Sequence, residues 1–212
     1  MAQNMKIILR AHQFFKSLTR IEEFDDIKPW EKKEKGEPFD PKEFFSKLNF
    51  PIKVEYSLVN EEGEQTKCGW DGTTQTLFAP KESDIMSLYH DLAHYLIADP
   101  RRLSMDDFGL GQGYQSVGLK CEDTLSRDYV YTGLFESEQI EEEVACYLSL
   151  CMAKDMRVPR RVIASEMKNV TMTENLCDKE QLSLYVDLLR SKEAQEQIKS
   201  RGIEMLFPRS YT

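Results

Sequence analysis

The sequence predicts an α+β fold, in which a small antiparallel sheet packs against one helix and several helices follow. Three observations predict it. Alternating apolar residues over 52–79 read as strands. Apolar residues at helical spacing recur from about 83 onward. A helix in between carries two of the chain's three histidines, His90 and His94, one turn apart.

The first 20 residues place Ile7, Ile8, Ala11, Phe14, Phe15 and Leu18 at helical spacing, which predicts an amphipathic helix over 3–20. Residues 22–41 are dense in charge and carry three prolines, so they read as an exposed connector. Pro41 suits the first turn of a short helix through Phe44, Phe45 and Leu48. The period then drops to two. Ile52, Val54, Tyr56 and Leu58 alternate with polar residues, and 65–70 and 73–79 read as two further strands. Asp71-Gly72 between them is the strongest hairpin signal in the chain.

Pro80 ends the sheet, and Ser83 with Asp84 marks a helix start. That helix runs to about Ala98, where Asp99-Pro100 stops it. Residues 104–133 are irregular and rich in glycine. Further helices are expected at about 136–153, 159–168 and 178–200, the last capped by Asp178. The reading divides the chain into an N-terminal helix and connector (1–40), an α+β metal-binding core (41–170) and a C-terminal helix and tail (171–212).

Composition removes some function classes. The 212 residues carry a net charge of −9, which repels a phosphate backbone, so nucleic acid is not an expected partner. The same charge disfavours an anionic membrane, and no apolar run reaches the ~20 residues that span a bilayer. Cys68, Cys121, Cys146, Cys151 and Cys177 are odd in number and lack CxxC spacing. Free thiols in a reducing, cytoplasmic setting are the expectation.

The segment LYHDLAHYLIA carries the chemistry. Three randomly placed histidines would show a spacing of four about 3% of the time. On a helix, residues i and i+4 share a face, so the two rings can converge on one divalent ion, Fe2+ or Zn2+. The bland alternative is a pair of half-buried histidines bonded to backbone or carboxylates. A carboxylate-rich helix follows, ESEQIEEEVACYLSLCMA, and can supply a third ligand. Glu141 shares a face with Val144, Ala145, Leu148 and Met152, and a buried carboxylate needs a cation. Glu141 is therefore the first choice, with Glu142 next and Glu138 after it. His12 is a weaker candidate.

Asp91 stands where an HExxH motif has its glutamate, the general base of zinc hydrolases. Its shorter side chain weakens that role and suits orientation of a ring or a water equally well. The glycine-rich GLGQG does not follow a strand, so a dinucleotide site is not expected. It reads as a surface loop or as a lid over the metal, with Arg101 or Arg102 near an acidic group of a substrate.

The segment HDLAHYLIADPRRLSMDDFGLG resembles the motif region of the elongation factor P hydroxylase family. The matching positions are His90, His94, Ile97, Ala98, an arginine at 101 or 102, and Asp107-Phe108-Gly109, with a later helical glutamate falling closest to Glu141. Asp91 and the GLGQG stretch depart from the family pattern. The resemblance covers roughly residues 85–152. It implies a non-haem iron oxygenase with a two-His-one-carboxylate site, acting on a lysine side chain of a protein. Two alternatives stand beside it. One is a zincin-like metallohydrolase with Asp91 as base and a strand edge at 65–79 holding an extended peptide. The other is a non-enzymatic interaction protein with structural histidines. Neither substrate nor oligomeric state is legible in the sequence.

Overall fold

A computed structural model describes residues 5–20, 52–56, 69–79, 85–110, 133–169 and 173–208. The fold is α+β. In chain order the elements are β1 (Met5–Ile8), α1 (His12–Leu18), β2 (Lys53–Tyr56), β3 (Gly69–Asp71), β4 (Thr76–Ala79), α2 (Ile85–Ile97), two 3₁₀ turns (Pro100–Ser104 and Asp106–Gly109), α3 (Glu138–Asp155), α4 (Arg160–Asn169), α5 (Thr173–Cys177), α6 (Lys179–Leu189), α7 (Lys192–Ser200) and β5 (Ile203–Leu206).

Helices α2 and α3 form the centre and pack against each other. Nine of the thirteen residues of α2 are buried, including Leu88, Leu92 and Leu96. Buried on most sides, this helix needs no polar stripe and positions its histidines rigidly. Its last carbonyls, which have no partner within the helix, are met by side chains from the C-terminal end of α7. Gln197 donates to the carbonyls of Leu96 and Ala98 at 3.3 and 2.9 Å, and Arg201 donates to those of Tyr95 and Ala98. Helix α3 starts at an N-cap, Ser137, whose hydroxyl accepts from the Ile140 amide.

Two small sheets flank this pair. The sheet before α2 has strand order β2-β4-β3. β3 and β4 are antiparallel, as the Asp71-Gly72 signal predicts, but β2 runs parallel to β4, so the sheet is mixed rather than antiparallel. Residues 57–68 lie outside the described residues. The turn also works differently from a two-residue hairpin. The Asp71 carboxylate accepts from the amides of Thr73 and Thr74, and the left-handed residue is Gln75, with φ 50°. Gly72 is needed for another reason. A Cβ there would sit 2.3 Å from the Ser104 carbonyl carbon, because the first 3₁₀ turn lies directly on the hairpin.

The second sheet corrects the expectation of one helix over 3–20. Residues 5–8 are a strand, β1, paired in parallel with β5, and only 12–18 are helical. Ile7 fits either period, but its strand partner, Met205, lies almost two hundred residues away and is invisible to a local pattern. The helix expected over 178–200 is two helices that break at Arg190 and Ser191, and Ser191 caps the second. Asp178 caps α6 as expected, accepting from Glu180 and Gln181 at 2.7 and 2.9 Å. The start signal at Ser83, the connector and the short helix after Pro41 lie outside the described residues. Among the described residues, no helix is long and apolar enough to cross a membrane.

Candidate metal centre

His90 and His94 face the first turns of α3. Their rings are perpendicular, with centroids 4.6 Å apart, and their Nε2 atoms face each other at 3.0 Å. Between them stands Glu142. Its Oε1 lies 2.8 Å from His90 Nε2, and its Oε2 lies 3.0 Å from His94 Nε2. Two imidazole nitrogens and a carboxylate therefore point at one small volume. The cluster is reachable from outside: the side chain of Glu142 is 45% exposed and that of His90 24%, whereas His94 is nearly buried at 6%.

Side chains of the cluster shift one another's protonation. Burial pulls the His94 imidazole toward its neutral form, but Glu141 and Glu142 overcome this and push its pKa up to about 9. Burial pushes the Glu142 carboxyl up. The two imidazoles more than reverse that and hold it far below the usual carboxylate range.

Glu141, first choice for third ligand, is fully buried, as its apolar face predicts. Its carboxylate, however, faces Arg102. The guanidinium donates Nη1 to Oε2 at 2.7 Å and Nη2 to Oε1 at 2.8 Å. The cation needed by this buried carboxylate is therefore an arginine of the chain itself. Oε1 is also 3.6 Å from His94 Nδ1, which has no hydrogen-bond partner among the described residues. Glu138 is exposed at the start of α3. His12 opens α1, which packs on α4 and α5.

Asp91 is partly buried beside the histidines. Burial pushes its carboxyl up to about 6, with the Glu142 charge adding to the rise and both histidines opposing it. Of the two arginines expected near a substrate, Arg101 is exposed and pairs with Asp99 at 2.9 Å, and Arg102 is committed to Glu141. Of the loop expected as a lid, 98–116, residues 111–116 lie outside the described residues.

Sequence reasoning assigned no role to two further parts of the site. Cys146 lies one turn beyond Glu142 on α3, with Sγ 3.7 Å from His90 Nδ1 and 3.9 Å from Glu142 Oε1. The i, i+4 spacing that singled out the histidines would have found it. The other part is the Asp106–Gly109 turn. Phe108 stacks on Trp70 at 5.1 Å and 16°, and its opposite neighbour is the His94 ring at 6.0 Å and 29°. Asp107, Phe108 and Gly109 are all left-handed, with φ of 45°, 58° and 65°. Two consecutive non-glycine residues there cost about 1–3 kcal/mol each, and surrounding contacts must hold them. Trp70 supplies one such contact, donating its amide to Asp107 Oδ1 at 3.1 Å and its indole N–H to the Leu103 carbonyl at 3.0 Å.

The chain matches no protein-family model, no curated protein and no solved structure at a meaningful level, so the site is read from its own geometry.

Proposed function

We propose that His90, His94 and Glu142 bind one divalent metal ion, and that the protein is a metal-dependent enzyme of the non-haem iron hydroxylase type acting on a protein side chain. One observation carries this reading. Two imidazole nitrogens and a carboxylate, all acceptors when the rings are neutral, converge at 2.8–3.0 Å. Three protein residues would leave further positions on the ion open to other ligands. When bound, an iron ion there supplies one-electron chemistry with dioxygen, and a zinc ion supplies polarisation of a carbonyl.

The chain's own groups do the rest. Asp91, held near neutrality by burial, can take or give a proton beside the histidines. Asp91, Asp107 and Glu142 make the surroundings acidic, and the neighbouring Arg101 and Arg102 are engaged elsewhere. Such surroundings suit a cationic substrate group, as the resemblance to the elongation factor P hydroxylase family also implies.

The second reading, a zincin-like hydrolase, is favoured by the raised pKa of Asp91, which suits a general base. It is disfavoured at the sheet. The Trp70 amide of the edge strand β3 and the Gly72 amide just beyond it, which an extended peptide would meet, already donate to the chain itself, to Asp107 and Asp106 at 3.1 and 3.0 Å.

Metal analysis of protein purified without a histidine tag tests the proposal. One equivalent of metal per chain is expected. His94→Ala and Glu142→Ala should each lower it at least tenfold, while Glu138→Ala leaves it unchanged. Full metal content in both site variants would remove the site. Iron with oxygen-dependent turnover supports the hydroxylase reading, and zinc with amide hydrolysis supports the second.

A further inference from the structure

The metal reading uses one nitrogen of His94 and leaves the other facing a buried ion pair. Arg102 and Glu141 are 1% and 0% exposed. A buried pair contributes little net stability, because desolvation of both charges offsets their attraction. Its placement suggests another purpose. Oε1 of Glu141, which accepts from Arg102 at 2.8 Å, is the same oxygen that stands 3.6 Å from His94 Nδ1. That distance is beyond a direct hydrogen bond, so the carboxylate acts on the ring through its charge across a short gap. The same guanidinium donates Nε to the Phe108 carbonyl at 2.6 Å, and the Phe108 ring lies along the face of His94. One arginine thus fixes what meets the Nδ1 edge of His94 and what meets its ring face.

We propose that Arg102 and Glu141 are positioning residues for His94, holding its proton on Nδ1 so that the Nε2 lone pair faces His90 and Glu142. A neutral imidazole with no partner divides its proton between the two nitrogens. A carboxylate behind Nδ1 draws it there and makes Nε2 the better ligand. The inference extends the metal reading, but its central claim concerns a proton and can be measured without metal.

The test uses the full chain labelled with ¹⁵N-histidine, which gives only three residues to assign. Wild type, Glu141→Gln and the double variant Arg102→Met/Glu141→Leu are compared by imidazole ¹⁵N chemical shifts without metal, at a pH where His94 is neutral and in a Glu142→Ala background, because Glu142 Oε2 at 3.0 Å otherwise competes for the proton at Nε2. Zn2+ affinity is measured by titration with Glu142 intact. The double variant replaces the pair with apolar side chains of similar size, a change that buried ion pairs tolerate. If it fails to fold, Glu141→Gln carries the comparison.

With Arg102 and Glu141 intact in that background, His94 should hold its proton on Nδ1. In the variants that preference should disappear, and Zn2+ affinity should fall about 10–100-fold. A folded variant with an unchanged His94 tautomer and wild-type affinity would overturn the proposal. If wild type binds no Zn2+ at all, the metal reading fails and the tautomer comparison still decides the role of the pair. An Nδ1 proton lost on substitution supports it, and an unchanged one refutes it.

Discussion

Asp107 combines a left-handed backbone with a carboxyl group that burial, aided by the charge of Asp91, pushes up to about 7. Both features have a sign that can be tested. An ordinary aspartate loses its proton near pH 4. Between about pH 4 and pH 7 the folded protein therefore holds a proton that the unfolded chain has released. Stability falls as pH rises through that window. Asp91, raised to about 6, adds to the same slope over a narrower range. Asp107→Asn should flatten the slope without abolishing it. Asparagine tolerates the left-handed backbone and still accepts from the Trp70 amide. Urea unfolding at several pH values with a chelator present checks this, and an unchanged slope would show that Asp107 is not buried as described.

At the scale of elements, the site depends on the hairpin that supports the 3₁₀ turns. Gly72→Ala drives a Cβ into the Ser104–Met105 backbone, which cannot yield as a side chain would. The expected loss is about 1–3 kcal/mol of stability, read as a lower denaturant midpoint. Near-UV circular dichroism should change as the Trp70–Phe108 stack shifts. Unchanged stability would mean that the turn does not lie on the hairpin.

Helices α2 and α3 were legible in the sequence because their apolar runs are too long for strands, and Asp99-Pro100 stops the first. The identity of the carboxylate was less so. Although Glu143 is buried too, a face count singled out Glu141. It does not find which cation meets that glutamate, because Arg102 lies 39 residues earlier on another element. Glu142, half exposed, made a weaker pattern and yet reaches both histidines. β1 and the parallel pairing of β2 with β4 were hidden for a related reason, since pairing partners leave no mark on local periodicity.

Across the whole molecule, the β1–β5 sheet brings the described ends of the chain together, and Arg201 just before β5 secures the end of α2. The C-terminal segment thereby supports the histidine helix from outside. All of this converges on one claim, that the two imidazoles and Glu142 share an ion. X-ray absorption of protein loaded with one equivalent of Fe2+ or Zn2+ tests it most directly. The account predicts a shell of two imidazole nitrogens and carboxylate oxygen at about 2.0–2.2 Å, with the imidazole scattering reduced in His94→Ala. A shell without imidazole, or one dominated by sulfur from Cys146 at about 2.3 Å, would contradict it.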